Sequence, residues 1–160
     1  EYYELAVKLR NTFKNCTLTT DIMVGFPTET EKDFKETVAF AEKVGFEKIH
    51  IFPYSVRTGT RAALMKPQIE KHVKEERAAA LAVTAEKIRT EFLRSQIGKT
   101  VSIIPETHGK DGFVFGYTEN YTPVMAKVGK DAIGKTVFVK ITDSDKDYCY
   151  AEYGEAPKTI

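Results

Sequence analysis

Two clusters of turn-forming and polar residues stand at the ends of two apolar runs. Gly25-Phe26-Pro27-Thr28-Glu29-Thr30 closes the run "TLTTDIMVGF", and Tyr54-Ser55-Val56-Arg57-Thr58-Gly59-Thr60 closes "KIHIFPYS". These residue types suit a small, charged, hydroxyl-rich ligand. Glycine lets a backbone come close, and the free N–H groups opening a following helix attract anions. Arg57 can grip a carboxylate or phosphate with a two-pronged fork, while Ser55, Thr58 and Thr60 offer hydroxyls to a sugar. The same residues also serve as plain turn and cap residues, with Arg57 in a surface ion pair. Spacing alone leans towards that second use.

Other chemistry is poorly supplied. Cys16 and Cys149 are the two cysteines, too far apart in sequence for a disulfide framework or a metal-ligand cluster. His50, His72 and His108 are scattered, so core or surface roles outweigh metal binding or catalysis. Two glycosylation triplets, at Asn15 and Asn120, are short matches in a chain with no other sign of secretion. With 24 Lys or Arg against 23 Asp or Glu the net charge is +1, which by itself does not argue for nucleic acid. No apolar run approaches a membrane span, and a cytoplasmic location is the default expectation.

Elements to hold the two clusters follow from the periodicities. "EYYELAVKLRN" reads as a helix with Leu5, Leu9 and Phe13 on one stripe and Ala6 alongside. It begins without a methionine and already inside the helix, so a piece of a longer protein is expected. Residues 17–26 form a strand, and Thr30 caps a helix with Asp33 as the capping-box partner. Phe34, Val38, Ala41 and Val44 point inward, and Gly45 stops the helix. Residues 48–55 form a second strand, apolar on both faces and expected to be covered on both sides. Strand, helix and strand with short links make a parallel βαβ unit, whose C-terminal strand ends are where ligands bind. Pro67 is placed in the first turn of a long helix reaching about Ser95, with Ile69, Val73, Leu81, Ile88 and Phe92 on one side. Residues 61–99 hold nine Lys or Arg against five Glu.

After Gly98 the pattern changes to five short β-type runs, "KTVSIIPE", "DGFVFGYT", "YTPVMAKVG", "KTVFVKITD" and "YCYAEYG", with no helix between them. The expected fold is α/β plus all-β: parallel α/β over 1–95, which a family resemblance makes a partial parallel (β/α) barrel, then a small antiparallel OB-like β-barrel over 96–160. Residues 95–160 carry eight lysines, no arginine and nine acidic residues. Lys127, Lys130, Lys135 and Lys140 make a mildly basic middle. Phe113, Phe115 and Tyr117 share one face and could stack bases, although filling a small barrel is the more expected use. Tyr121, beside Asn120 in a loop, is the better stacking candidate.

A family resemblance ties these readings together. "TDIMVGFPTETEKDF", "HIFPYSVRTGTRAA" and "VKEERAAAL", in that order, resemble the C-terminal part of the radical S-adenosylmethionine (SAM) domain of the methylthiotransferases. "GYTENYTPVMAKV" and "GKTVFVKI" resemble the TRAM domain, a small tRNA-binding β-barrel that follows it. The His50 and Phe52 flavour is most similar to the branch that modifies threonylcarbamoyladenosine beside the tRNA anticodon.

The resemblance implies methylthiolation giving 2-methylthio-N6-threonylcarbamoyladenosine, with SAM and 4Fe–4S clusters as cofactors of the full-length enzyme. It implies SAM-side roles for Val24, Gly25, Phe52, Tyr54, Ser55 and Arg57, and tRNA contacts at Tyr121, Lys127 and Lys135. The cluster-binding C-x-x-x-C-x-x-C motif does not occur in this sequence. The chain alone is therefore expected to bind no cofactor and to be inactive, with no catalytic or metal-ligating residue of its own. Its expected partners are tRNA and the missing N-terminal part of the enzyme, or a second copy covering an open barrel edge. An RNA-binding module, or a methylthiotransferase acting on a ribosomal protein, are the alternatives. Thr28 stands where the family places glycine, so a positive φ there would strain it.

Overall fold

A computed structural model gives the architecture and describes residues 1–156. The chain divides into two compact units between Arg89 and Thr90.

The first unit contains α1 (Tyr2–Thr12), β1 (Thr19–Val24), α2 (Glu31–Val44), β2 (Lys48–Pro53), the short α3 (Arg61–Leu64) and most of α4 (Lys71–Arg94). β1 and β2 pair in parallel from Thr19↔Lys48 to Val24↔Pro53, as a βαβ unit requires. α2 is punctuated as its sequence dictates. The Asp33 N–H donates to the Thr30 hydroxyl at 3.2 Å and the Thr30 N–H donates to the Asp33 carboxylate at 2.8 Å. Donation from the Thr30 hydroxyl and N–H holds the Asp33 carboxyl below the usual carboxylate range. Gly45 ends the helix at φ 66, a conformation that glycine adopts without steric cost.

The core of this unit lies on one side of the sheet. Ala6, Phe34, Ala41, Val44, Phe46 and Leu81 bury against Val24, with Ile22, Ile49 and Ile51 packed on them. Each fully buried Leu or Val contributes roughly 1.5–3 kcal/mol. The opposite face is open: Asp21, His50 and Lys48 are exposed, and Met23 and Phe52 are half exposed. Within this chain β2 is thus covered on one side only, because α1, α2 and α4 all contribute to the same core. The stripe expected on α1 also shifts. Leu5 and Phe13 face outward, and Ala6 and Tyr3 make the contact instead, because Ala6 lets the helix approach closely. Pro67 is not in the first turn of the long helix, which begins at Lys71, and Lys66–Pro67 is a cis peptide in the preceding loop.

In the second unit the last turn of α4 and the turn through Gly98 deliver the chain to β3 (Thr100–His108), β4 (Val114–Thr118), β5 (Pro123–Lys127), β6 (Val137–Ser144) and β7 (Cys149–Tyr153). All five expected strands are present. They close into a barrel in the order β3-β4-β5-β7-β6, with β3 pairing β6. The barrel is mixed rather than antiparallel, since β5 and β7 run parallel. A closed ring of five strands cannot alternate in direction all the way round, so at least one contact must be parallel. A short 3-10 helix, Lys130–Ala132, interrupts the expected helix-free region.

The barrel interior holds Ile103, Val114, Val124, Ala126, Val139, Ile141, Cys149 and Ala151, plugged by Leu93. Five strands enclose little volume, and small or branched side chains fill it. Gly116 also faces inward, where a Cβ would stand 2.4 Å from the Ile104 carbonyl oxygen, beside a register shift between Pro105 and Thr107. Val114, Gly116 and Thr118 thus occupy the inward phase of β4. Phe113, Phe115 and Tyr117 take the outward one, which corrects the expectation that they fill the barrel.

Candidate functional site

The parallel register places the two polar clusters side by side. The Tyr54 N–H donates to the Val24 carbonyl at 2.9 Å, extending the β1–β2 ladder one residue into the loops. Beyond that point the chain turns at Gly25, whose φ is 68.

Three residues outside the sequence-derived set lock this arrangement. Glu29 accepts the Gly25 N–H at 3.0 Å with one carboxylate oxygen and the Arg77 guanidinium at 2.6 Å with the other. Arg77 is buried and also donates to the Glu29 carbonyl at 3.3 Å. Lys74, one turn earlier on α4, donates to the Tyr54 carbonyl at 2.9 Å. Its aliphatic stem crosses Gly25, where an added Cβ would stand 2.2 Å from the Lys74 Cγ. The close approach that Gly25 permits is thus made by Lys74. Arg77 grips the β1 end and Lys74 the β2 end, from a single helix face at i, i+3 spacing. That spacing was visible in "VKEERAAAL", but nothing in the sequence linked it to Glu29.

Of the expected SAM-side residues, Val24, Gly25 and Tyr54 are buried, and Phe52, Ser55 and Arg57 are exposed at the same end of the sheet. The Tyr54 ring meets Phe26 edge-on at 5.4 Å, and its hydroxyl is buried without a hydrogen-bond partner. An orphaned buried hydroxyl is costly and points to a missing partner. Thr60 is a cap: its hydroxyl donates to the Arg57 carbonyl at 2.8 Å and accepts the Ala63 N–H at 3.3 Å. Thr28 adopts φ 74, the strained conformation foreseen for a non-glycine at that position.

The barrel presents a second arrangement. Its outward aromatics form a chain of contacts, edge-on from Tyr148 to Phe115 at 5.8 Å and from Phe115 to Tyr117 at 5.0 Å, and tilted from Tyr117 to Tyr121 at 6.0 Å. Phe113 and Tyr150 meet at 6.0 Å. The Tyr150 hydroxyl donates to Asp145 at 2.7 Å, and that bond pushes the phenol up to about 12. Tyr121 stands 78% exposed in the β4–β5 turn. Lys127 lies at the far end of β5, in register with Glu152, and Lys135 lies in the link to β6. The three expected RNA contacts are therefore not one cluster.

Among the described residues no group of three or more His, Cys, Asp or Glu side chains could hold a metal ion. Cys16 is half-buried in the first unit and Cys149 is sealed inside the barrel, so the residues present do not fit an iron–sulfur cluster. No described helix is long and apolar enough to cross a membrane.

Residues 83–153 match the TRAM domain family. The chain is 40% identical over 146 residues to a threonylcarbamoyladenosine tRNA methylthiotransferase (MtaB) of Bacillus subtilis, covering 88% of this chain and 32% of that protein. It is 42% identical over 146 residues to a tRNA-2-methylthio-N(6)-dimethylallyladenosine synthase of Oceanobacillus iheyensis, covering 90% and 28%. A synthase of the same name from Staphylococcus haemolyticus is 36% identical over 162 residues, covering 98% and 31%. The chain thus spans about a third of the length of the curated relatives it matches.

Proposed function

The chain carries a TRAM domain and belongs by sequence with the tRNA methylthiotransferases, and on that premise we propose that it is the SAM-facing and RNA-facing part of such an enzyme. The reading is that the intact protein methylthiolates an adenosine beside the anticodon, in the cytoplasm. The threonylcarbamoyl-modified base is the expected target. The observation that carries it is the parallel register ending at Val24↔Pro53, which sets the Gly25 and Tyr54 loops together at the C-terminal ends of the strands.

In this reading β1 and β2 are part of a larger parallel barrel. The remaining strands of the enzyme cover the exposed face of Asp21, Met23, His50 and Phe52, and the cluster-binding cysteines lie in that same remainder. SAM, when bound, supplies the radical chemistry. This chain's own contribution is to hold it. Arg57, which forms no ion pair among the described residues, grips the carboxylate. Ser55 offers a hydroxyl, Phe52 an apolar face, and the Tyr54 hydroxyl gains the partner it lacks.

The test is SAM binding by the intact enzyme with Arg57→Ala. An exposed arginine is structurally cheap to lose, so stability should hold within about 0.5 kcal/mol while affinity falls about tenfold. Unchanged affinity overturns the assignment of Arg57. Supplying the intact enzyme with tRNA or ribosomes, and weighing both, decides between a nucleoside and a ribosomal-protein target.

A further inference from the structure

We propose that the RNA-contacting surface of the barrel is the outward aromatic chain on β4 and the β6–β7 turn, and that its ligand is unpaired nucleotides stacked on Tyr121, Tyr117 and Tyr148. The inference rests on the reading of the barrel as an RNA-binding module and deepens it by naming the face and the state of the RNA.

Three observations carry it. First, the strand order β3-β4-β5-β7-β6 is that of the OB barrel. Barrels of that order bind oligonucleotides over their second and third strands and the loops joining first to second and fourth to fifth. Here those places are β4, β5, the β3–β4 turn and the β6–β7 turn; β4 holds Phe115 and Tyr117, the β6–β7 turn holds Tyr148, and Tyr121 stands next to them in the β4–β5 turn, in contact with Tyr117. Second, the rings are presented rather than packed away. Tyr117 and Tyr148 remain 38% and 37% exposed, and the contact chain continues through them to the far more exposed Tyr121.

Third, Tyr121 is held in place at a steric cost. Its φ is 60, a conformation a bulky side chain rarely adopts. The surrounding turn enforces it. The Thr118 N–H donates to the Thr122 carbonyl at 3.1 Å, and the Tyr121 N–H donates to the Thr118 carbonyl at 3.0 Å. The hydroxyls of Thr118 and Thr122 both donate to the Asn120 side-chain oxygen, and the Thr122 N–H donates to the Thr118 hydroxyl. Five hydrogen bonds fix one loop whose product is an outward ring. Strain kept by an over-determined surrounding is a mark of use.

The charges around the face select the kind of binding. Glu119, Asp145 and Asp147 flank the rings, Lys146 lies between the two aspartates, and Lys127 stands two residues beyond Met125 on β5, so acids outnumber bases around the face. Phosphate neutralisation is therefore small and the π-faces dominate. A duplex shows its phosphates and hides its bases, whereas unpaired nucleotides offer faces to every ring.

The test uses the 160-residue chain, a stem–loop RNA and a blunt RNA duplex of equal length. The chain lacks tryptophan and has eight tyrosines, so the loss of tyrosine emission on stacking is read against that of the Tyr121 and Tyr148 variants. The stem–loop is expected to bind about tenfold tighter than the duplex, to quench that emission, and to show a shallow salt dependence of about one or two phosphates. Tyr121→Gly relieves the strained φ, so its thermal midpoint should hold or rise while its stem–loop affinity falls about tenfold; Tyr121→Phe should bind as the parent does. Tyr148→Ala should weaken binding similarly. If the parent chain binds the stem–loop and the Tyr121 and Tyr148 variants bind it equally well, this inference fails and the RNA-binding reading stands. If the parent chain binds neither RNA, both fail. If the variants abolish a dimer of this chain and leave RNA affinity untouched, the face belongs to a second copy and the inference is overturned.

Discussion

Lys74 lies across Gly25 so closely that no side chain fits between them, and the same lysine donates to the Tyr54 carbonyl at 2.9 Å. One residue of α4 thereby couples the turn after β1 to the turn after β2. Gly25→Ala should break this coupling. Its Cβ would stand 2.2 Å from the Lys74 Cγ, and its φ of 68 penalises any L side chain. The lysine stem can swing aside only by releasing Tyr54. A loss of about 2 kcal/mol in chemical denaturation is expected, combining the backbone penalty with mild overpacking. Lys74→Ala in the same chain should recover part of it, with a coupling of at least about 0.5 kcal/mol in the double-mutant cycle. Strictly additive losses would mean that the two residues do not compete for that space.

Glu29 and Arg77 form the other half of the clamp, with side chains 14% and 8% exposed. Removing Glu29 takes away the close partner of Arg77 and leaves it a longer contact, 3.6 Å, to the exposed Glu31 carboxylate. Glu29→Gln keeps the acceptor for the Gly25 N–H but removes the charge facing Arg77, whose Nε already lacks a partner. A loss of about 2 kcal/mol is expected from denaturant titration, less than for an arginine left with no partner. Arg77→Met should cost less than Arg77→Ala, because the methionine fills the space beside Phe34. Equal losses for the two arginine variants would show that volume contributes nothing there.

The parts of this molecule that were legible in the sequence are those fixed by local chemistry. Thr30, Asp33 and Gly45 mark α2 at both ends because caps act within four residues. The five barrel strands were legible because turn residues separate them. What was hidden depends on partners far away in sequence. The phase of β4 is set by Gly116 under the Ile104 carbonyl and by the small volume inside five strands, so the larger residues lost the interior. Arg77 reaches Glu29 across 48 positions, and no periodicity announces that contact. The parallel β5–β7 contact was deducible by parity once closure was assumed.

Tyr150 gives the barrel a signature at high pH. Its phenol donates to Asp145, and that bond, helped by partial desolvation, raises it from 10.0 to about 12. A group raised on folding adds stability that is whole below its unfolded value. That stability drains away as pH climbs through the folded value, here between about pH 10 and 12. Ultraviolet titration of the tyrosines should show a late-ionising phenol that Tyr150→Phe abolishes. The variant should also lose less stability than the parent across that window. Asp145 itself is partly desolvated, but donation from Tyr150 and from the Tyr148 and Asp147 N–H groups outweighs that and holds its carboxyl low. Its contribution is present above the ordinary carboxylate value and is lost as pH falls.

Thr28 offers a test in which stability and function move apart. It is β-branched, exposed, and held at φ 74, and its N–H donates to the Pro67 carbonyl at 3.1 Å. Thr28→Gly keeps that backbone bond, removes the left-handed penalty and gives up no buried contact. Against this stands the greater freedom of glycine in the unfolded chain. The two leave a net gain of about 0.5–1 kcal/mol, read as a raised denaturation midpoint. On the proposed reading, if the strain serves only as a tolerated departure from glycine, SAM affinity of the intact protein should be unchanged in the more stable variant. If the strained turn holds Glu29 at the Gly25 N–H, the gain in stability should come with weaker SAM binding, because a relaxed turn presents Glu29 less firmly. A variant less stable than its parent would show that the threonine side chain offsets the cost of its own backbone.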